Sequence, residues 1–235
     1  LCDKLLHNDS WEGIVQLRKS QKGPGLIPFL IVRDHFYENP EKVRRIAQSM
    51  KFEQSEVVTA YSTNEVYHER NIRGRLEQIF GVKITRWDLD PAEGNGCFYG
   101  SFAGGKYKEI PGVHYDEPCD DITAVVYLTP DLPAEYGTSL WQHTATGLIA
   151  APGRSDAHRL RTTLTKLRNR LERDSENRRR WTEVDRAGYK YNRLVAYPSG
   201  VLHSATRHYG GSLQNGRLYQ TFRIGVDWST CKLYR

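Results

Sequence analysis

Residues 113–128 read V-H-Y-D-E-P-C-D-D-I-T-A-V-V-Y-L. A histidine and an aspartate stand two apart, a break containing Pro118 follows, and a run rich in β-branched residues closes the stretch. On a β-strand, residues i and i+2 project from the same side, so His114 and Asp116 can be offered together by one strand end. The run 122–128 has the composition of a strand that returns beside the first.

The texture around this stretch is similar. From Gly81 onward, short β-like runs at 82–87, 97–102, 138–143, 193–197, 201–205 and 218–226 are separated by Gly, Pro and Asp. Eight short strands with turn signals between them predict a mostly β protein, a jelly roll or barrel rather than a parallel α/β sheet. Flanking helices are expected upstream. After the apolar run at 29–32, Asn39 is a candidate N-cap with Pro40 at the first helical position and Glu41 in the first turn. Val43, Ile46, Ala47 and Met50 then recur at helical spacing, and a second helix is expected over 64–80. Residues 1–25 read as a polar N-terminal arm, and 26–235 as a single domain. One segment interrupts the strands. At 154–181, leucines at 160, 164, 167 and 171 mark one stripe of a helix whose other faces carry arginine, a basic amphipathic insert.

Bulk properties bound the function. The longest apolar run, 26–32, contains Pro28 and is far too short to span a bilayer, so no membrane partner is expected. The first residues show no charged-then-apolar leader, although the chain starts at Leu1 rather than Met and a lost upstream leader stays open. Four scattered cysteines with no C-x-x-C pair read as free thiols, which places the protein in a reducing, cytoplasmic compartment. The net charge of +6 lies within 153–181, where ten Lys and Arg face four Asp and Glu. The rest of the surface is neutral, which disfavours a dedicated nucleic-acid binder without excluding one.

A non-haem Fe(II) site needs two neutral imidazoles and one carboxylate on one face. His114-x-Asp116 followed, far downstream, by His203 has that form, the third ligand coming from a neighbouring strand. With eight histidines the pattern alone is weak, and a surface His-x-Asp at a turn or a satisfied strand-end histidine fits as well. His143 reads as such a strand-end residue, and His208 is the competing choice for the distal histidine.

The order of motifs narrows this. His-x-Asp, the run 122–128, E-Y-G-T-S-L-W-Q-H, R-L-V-A-Y-P-S-G-V-L-H-S-A and finally G-R-L-Y-Q-T-F-R-I-G-V-D-W together resemble the Fe(II)- and 2-oxoglutarate-dependent dioxygenase superfamily over about 110–228. The resemblance implies a double-stranded β-helix (jelly-roll, cupin-like) core, with Fe(II), 2-oxoglutarate and O2 as cofactor and cosubstrates. It implies His114, Asp116 and His203 as metal ligands and Arg217 as partner of the distal carboxylate of 2-oxoglutarate. Arg223 is an even six residues on, so it faces the same way as Arg217, Tyr219 and Thr221 in an unbroken strand, and Tyr99 could reach the cosubstrate. In the superfamily a retained carboxylate goes with hydroxylation, whereas Gly or Ala there looks like a halogenase; this chain keeps Asp116.

Two branches compete for the substrate. Arg217-x5-Arg223 has the form seen in AlkB-type nucleic-acid demethylases, in which case arginines 168, 170, 178, 179 and 180 would meet phosphates. The G-T strand and the turn before His203 look more like the prolyl-hydroxylase-like and small bacterial hydroxylase branch. That branch implies a small-molecule, amino-acid or peptide substrate, with the insert as a cover over the site. A jelly roll that binds without catalysis is the third reading. Substrate identity and oligomeric state stay open.

Overall fold

The computed structural model describes residues 15–17, 29–54, 61–116 and 121–231. In chain order the strands and helices are β1 (Val15–Leu17), β2 (Phe29–Arg33), α1 (Pro40–Ser49), β3 (Phe52–Gln54), β4 (Tyr61–Thr63) and α2 (Ile72–Phe80). They continue with β5 (Lys83–Arg86), β6 (Phe98–Ser101), β7 (Ile122–Tyr127), β8 (Thr138–His143), α3 (Arg154–Arg159) and α4 (Leu164–Asp174). The last four are β9 (Trp181–Ala187), β10 (Leu194–Pro198), β11 (His203–Ala205) and β12 (Arg217–Asp227).

Two antiparallel sheets face each other. The larger runs β1-β2-β10-β7-β12-β6-β4-β3, with β5 also on β12, and the smaller runs β11-β8-β9. This is a jelly-roll architecture with helices on the outside of the larger sheet, the fold class the strand pattern predicted. β7 explains how it is held. Ile122, Ala124 and Val126 point into a core shared with Val43 and Ala47 of α1 and Leu76 and Phe80 of α2. Val125 and Tyr127 point the other way, into a second core between the sheets with Leu140, Tyr189, Val195 and Tyr197. All six β7 residues are buried, so the strand has no polar face to give up to water.

The cap on α1 forms as expected: the Asn39 side chain accepts from the Lys42 amide at 3.0 Å. The expected helix 64–80 begins only at Ile72. Before it, β4 and an extended stretch are held to the sheet, the Tyr67 amide donating to Gly96 at 3.0 Å, and Asn71 takes a left-handed conformation with φ 62° that sets off the helix. Of the arm 1–25, only β1 lies among the described residues, where it pairs antiparallel with β2. The other arm residues lie outside them. Gly137 accounts for the G-T pair that opens β8, since a side chain there would collide with the Ala187 carbonyl of β9.

The insert differs from expectation in two ways. It is two helices, broken where Arg161 adopts φ 50° and Thr163 caps α4 by accepting from the Lys166 amide at 3.2 Å. It also does not cover the inter-sheet space. Leu167 and Leu171 pack on Trp141, Leu148, Trp181, Val113 and Leu202, the outer face of the small sheet. Leu140, on the opposite face of β8, belongs to the inter-sheet core.

Candidate metal centre

The V-H-Y-D stretch is not a full strand. Only His114 pairs, as an isolated antiparallel bridge to His203. The two residues exchange both backbone hydrogen bonds, His114 N–H to His203 O at 3.0 Å and His203 N–H to His114 O at 2.8 Å. Asp116 N–H donates to Ser199 O at 2.9 Å. The long sequence gap is thereby closed by backbone pairing, and ligand atoms of His114, Asp116 and His203 lie within 4.8 Å of one another. Among the described residues this is the group of His, Cys, Asp and Glu side chains able to hold a metal ion.

The side chains are prepared for that role. His114 Nδ1 lies 3.0 Å from the Gly112 carbonyl and His203 Nδ1 lies 2.8 Å from the Val201 carbonyl. The carbonyls can only accept, so each Nδ1 donates, and each Nε2 is turned toward Asp116, at 3.9 Å from Oδ1 and 3.7 Å from Oδ2 respectively. Burial, then the neighbouring His114, pushes His203 down to about 4, so it is neutral at pH 7. Burial raises the Asp116 carboxyl, but its charged neighbours, Arg223 among them, and a hydrogen bond from Thr123 outweigh that and hold it below the usual carboxylate range. That Thr123 hydroxyl donates to Asp116 Oδ2 at 2.6 Å and sits 2.9 Å from Ser199 Oγ. Two imidazoles and one fixed carboxylate, each oriented by an outer hydrogen bond, fit a divalent first-row metal. The His114 side chain is 57% exposed whereas Asp116 and His203 are buried, so the centre opens to solvent on the His114 side.

β12 brings in the arginines. Its Tyr219 and Arg223 stand opposite Tyr127 and Thr123 of β7, on the inter-sheet face. Arg223 Nη2 donates to Asp116 Oδ1 at 3.0 Å, which fixes it at the metal-capable end. Arg217 is 2% exposed; its Nε donates to Tyr136 O at 3.0 Å and its guanidinium lies 4.4 Å from the Tyr219 ring centre and 5.3 Å from that of Tyr127. Tyr99 stacks on Tyr219 at 5.6 Å, and burial raises its phenol.

Other candidates fall elsewhere. His143 is fully buried, paired with Thr146 at 2.8 Å and Asp174 at 3.2 Å, a satisfied strand-end histidine. His208 is not in the metal-capable group; its Nδ1 lies 3.1 Å from the Glu109 carbonyl. Arg178 leaves the set of solvent-facing arginines. Its guanidinium lies 4.4 Å from the Trp141 ring centre and donates to Ser204 Oγ, Pro111 O and Ala205 O at 3.0–3.2 Å. It ties the insert to the segments leading into His114 and out of His203, while Arg168, Arg170, Arg179 and Arg180 stay exposed. Thr123 and Ser199 are not marked by any local signal in the sequence, and Arg178, grouped there with the phosphate-facing arginines, is set apart only by its tertiary contacts. Cys97 and Cys231 are free and buried, as expected; Cys2 and Cys119 lie outside the described residues. No helix among the described residues is long and apolar enough to cross a membrane.

Comparison with known proteins adds three findings. The model of a family of unknown function, DUF6445, matches residues 106–222, a span that contains His114, Asp116, His203 and Arg217. No curated protein matches the chain. Among solved structures, a Pseudomonas putida prolyl-4-hydroxylase is similar at 12% identity over 83% of this chain and 92% of that one, with a TM-score of 0.36. So loose a superposition leaves the fold to be read from the strands themselves.

Proposed function

We propose that this chain is an Fe(II)- and 2-oxoglutarate-dependent oxygenase that hydroxylates a small-molecule, amino-acid or peptide-type substrate. The observation that carries the reading is the joint placement of a His-Asp-His group and two arginines of one strand on the same inter-sheet space. Iron bound by His114, Asp116 and His203 would supply dioxygen chemistry in which 2-oxoglutarate is split to succinate and CO2 and the second oxygen atom enters a substrate C–H bond.

The chain's own residues do the rest. Arg217 offers a buried guanidinium to the distal carboxylate of 2-oxoglutarate, where a fork of donors matches the planar anion better than a lysine would. Arg223 matches the charge of Asp116 before any ligand arrives and holds that carboxylate in one orientation. Tyr99, Tyr219, Val125 and Tyr197 line or flank the space between, which keeps bulk water away from the cosubstrate. Substrate enters from the exposed His114 side. The inward turn of Arg178 removes one arginine from any phosphate-binding face, which further favours a small or peptide substrate over nucleic acid.

Anaerobic reconstitution tests this reading. The purified chain is expected to take up about one Fe(II) and, on admission of air, to convert 2-oxoglutarate slowly to succinate without substrate. Stoichiometric metal uptake with no succinate would leave a metal-binding jelly roll instead.

A further inference from the structure

Three residues stand side by side across the larger sheet: Tyr197 of β10, Thr123 of β7 and Arg223 of β12. Directly opposed residues of antiparallel strands share a face, here the one turned to the inter-sheet space. Two of the three hold the metal-capable carboxylate, Thr123 donating to Asp116 Oδ2 at 2.6 Å and Arg223 Nη2 to Oδ1 at 3.0 Å. The third, Tyr197, packs its ring 4.5 Å from that of His203 and is 2% exposed. The whole row therefore abuts the His-Asp-His group. The next row toward Arg217 is Val195, Val125 and Thr221.

The buried tyrosines of the inter-sheet core differ in where their hydroxyls go. That of Tyr127 pairs with Thr138 Oγ1 at 2.7 Å, and that of Tyr189 donates to Thr129 O at 2.9 Å. The Tyr197 hydroxyl has no hydrogen-bond partner among the described residues. A buried phenol ordinarily finds one, and a buried donor left without it loses the hydrogen bond it made in water. Both oxygens of Asp116 already accept from Thr123 and Arg223. A phenol keeps its proton at neutral pH, so Tyr197 is a donor in want of an acceptor.

We propose that Tyr197 is a cosubstrate-binding residue: its hydroxyl donates to an oxygen at the 2-oxo acid end of 2-oxoglutarate, while Arg217 meets the carboxylate at the other end. The proposal rests on the cosubstrate reading above. Position decides which end the phenol serves. Tyr197 shares its row with Arg223, whereas the Arg217 guanidinium lies against Tyr219, four residues or about 13 Å back along β12. The neutral donor leaves the Asp116–Arg223 pair undisturbed and adds no charge of its own.

Calorimetric titration into the full chain, loaded anaerobically with Fe(II), tests this with two ligands. One is 2-oxoglutarate; the other is oxalate, which offers a metal-binding end without the distal carboxylate. Tyr197→Phe removes one oxygen and keeps the ring against His203. It is expected to weaken both ligands by about tenfold or more, the loss of a hydrogen bond to a charged group. Iron content and the urea midpoint of the metal-free protein are expected to match wild type. Arg217→Ala is expected to weaken 2-oxoglutarate alone. Wild-type affinity for both ligands in Tyr197→Phe overturns the proposal and leaves the cosubstrate reading standing. Lost iron or a lower urea midpoint in that variant makes the hydroxyl structural and overturns it equally. Weakening of 2-oxoglutarate without oxalate puts the phenol at the Arg217 end, against the assignment. A wild type that binds Fe(II) and oxalate but no 2-oxoglutarate overturns the cosubstrate reading and the proposal with it.

Discussion

Replacing Arg178 by methionine keeps the aliphatic stem and removes the guanidinium. The structure gives that group hydrogen bonds to Ser204 Oγ, Pro111 O and Ala205 O, and a face-on contact with Trp141. Charge-assisted hydrogen bonds contribute on the order of 1.5–3 kcal/mol each before the cost of burying the cation, and a cation–π contact about 0.5–2 kcal/mol. Burial opposes the charged form of Arg178, so part of that gain is offset. A net loss of roughly 2–3 kcal/mol follows, or a fall in Tm of about 5–10 °C for a domain of this size. Urea unfolding followed by circular dichroism reads it as a lower midpoint at unchanged slope. Arg179→Met, one residue away and exposed, is expected to stay within about 0.5 kcal/mol of wild type. Because Arg178 braces the segments that carry His114 and His203, divalent-metal affinity should also fall by about tenfold, as for other outer-shell supports. If the two variants unfold at the same urea concentration, Arg178 is another solvated arginine and the bracing role is wrong.

His114→Ala, Asp116→Ala and His203→Ala are each expected to abolish stoichiometric Fe(II) binding by metal analysis, while His208→Gln retains it; the reverse would exchange the distal ligand. Arg217→Ala should raise the 2-oxoglutarate requirement of succinate formation by more than tenfold with iron content unchanged, since one charge-assisted contact of about 1.5–3 kcal/mol is lost. Stability should fall with acid between about pH 6.5 and 4, because His203 and His208 stay neutral when folded and take protons only when unfolded. Glu109 acts oppositely, binding its proton more tightly when folded, so its contribution is lost as pH rises toward 7. Two histidines outweigh one glutamate, and His208→Gln should visibly flatten the acid limb of a urea-midpoint profile.

What the sequence reveals here follows the range of each interaction. β7 and β12 were readable because their alternation is local, and α1 because Asn39 and Pro40 announce its start. The inward direction of Arg223 followed from even spacing along one strand. Arg178 was not separable from Arg179 and Arg180, since only the approach of Pro111 and Ser204 turns it inward. Glu109 is invisible for the same reason: its environment comes from β6, β12 and the loop after β11. The break in the insert had a local sign, a threonine three residues ahead of Lys166, but the leucine stripe continues across it and masks the stop.

Arg217, a buried cation on one side of β12 facing walls of tyrosine and valine, makes the inter-sheet space a trap for small oxyanions in general. Low-dielectric walls concentrate the field of Arg217, and sulfate or phosphate will respond to it as a dicarboxylate does. An anion held there at a hundred times its dissociation constant would add about 2.7 kcal/mol to the folded state. The protein's melting temperature should therefore depend on the salt in which it is dissolved. A preparation silent in phosphate buffer should turn over once moved to a zwitterionic one.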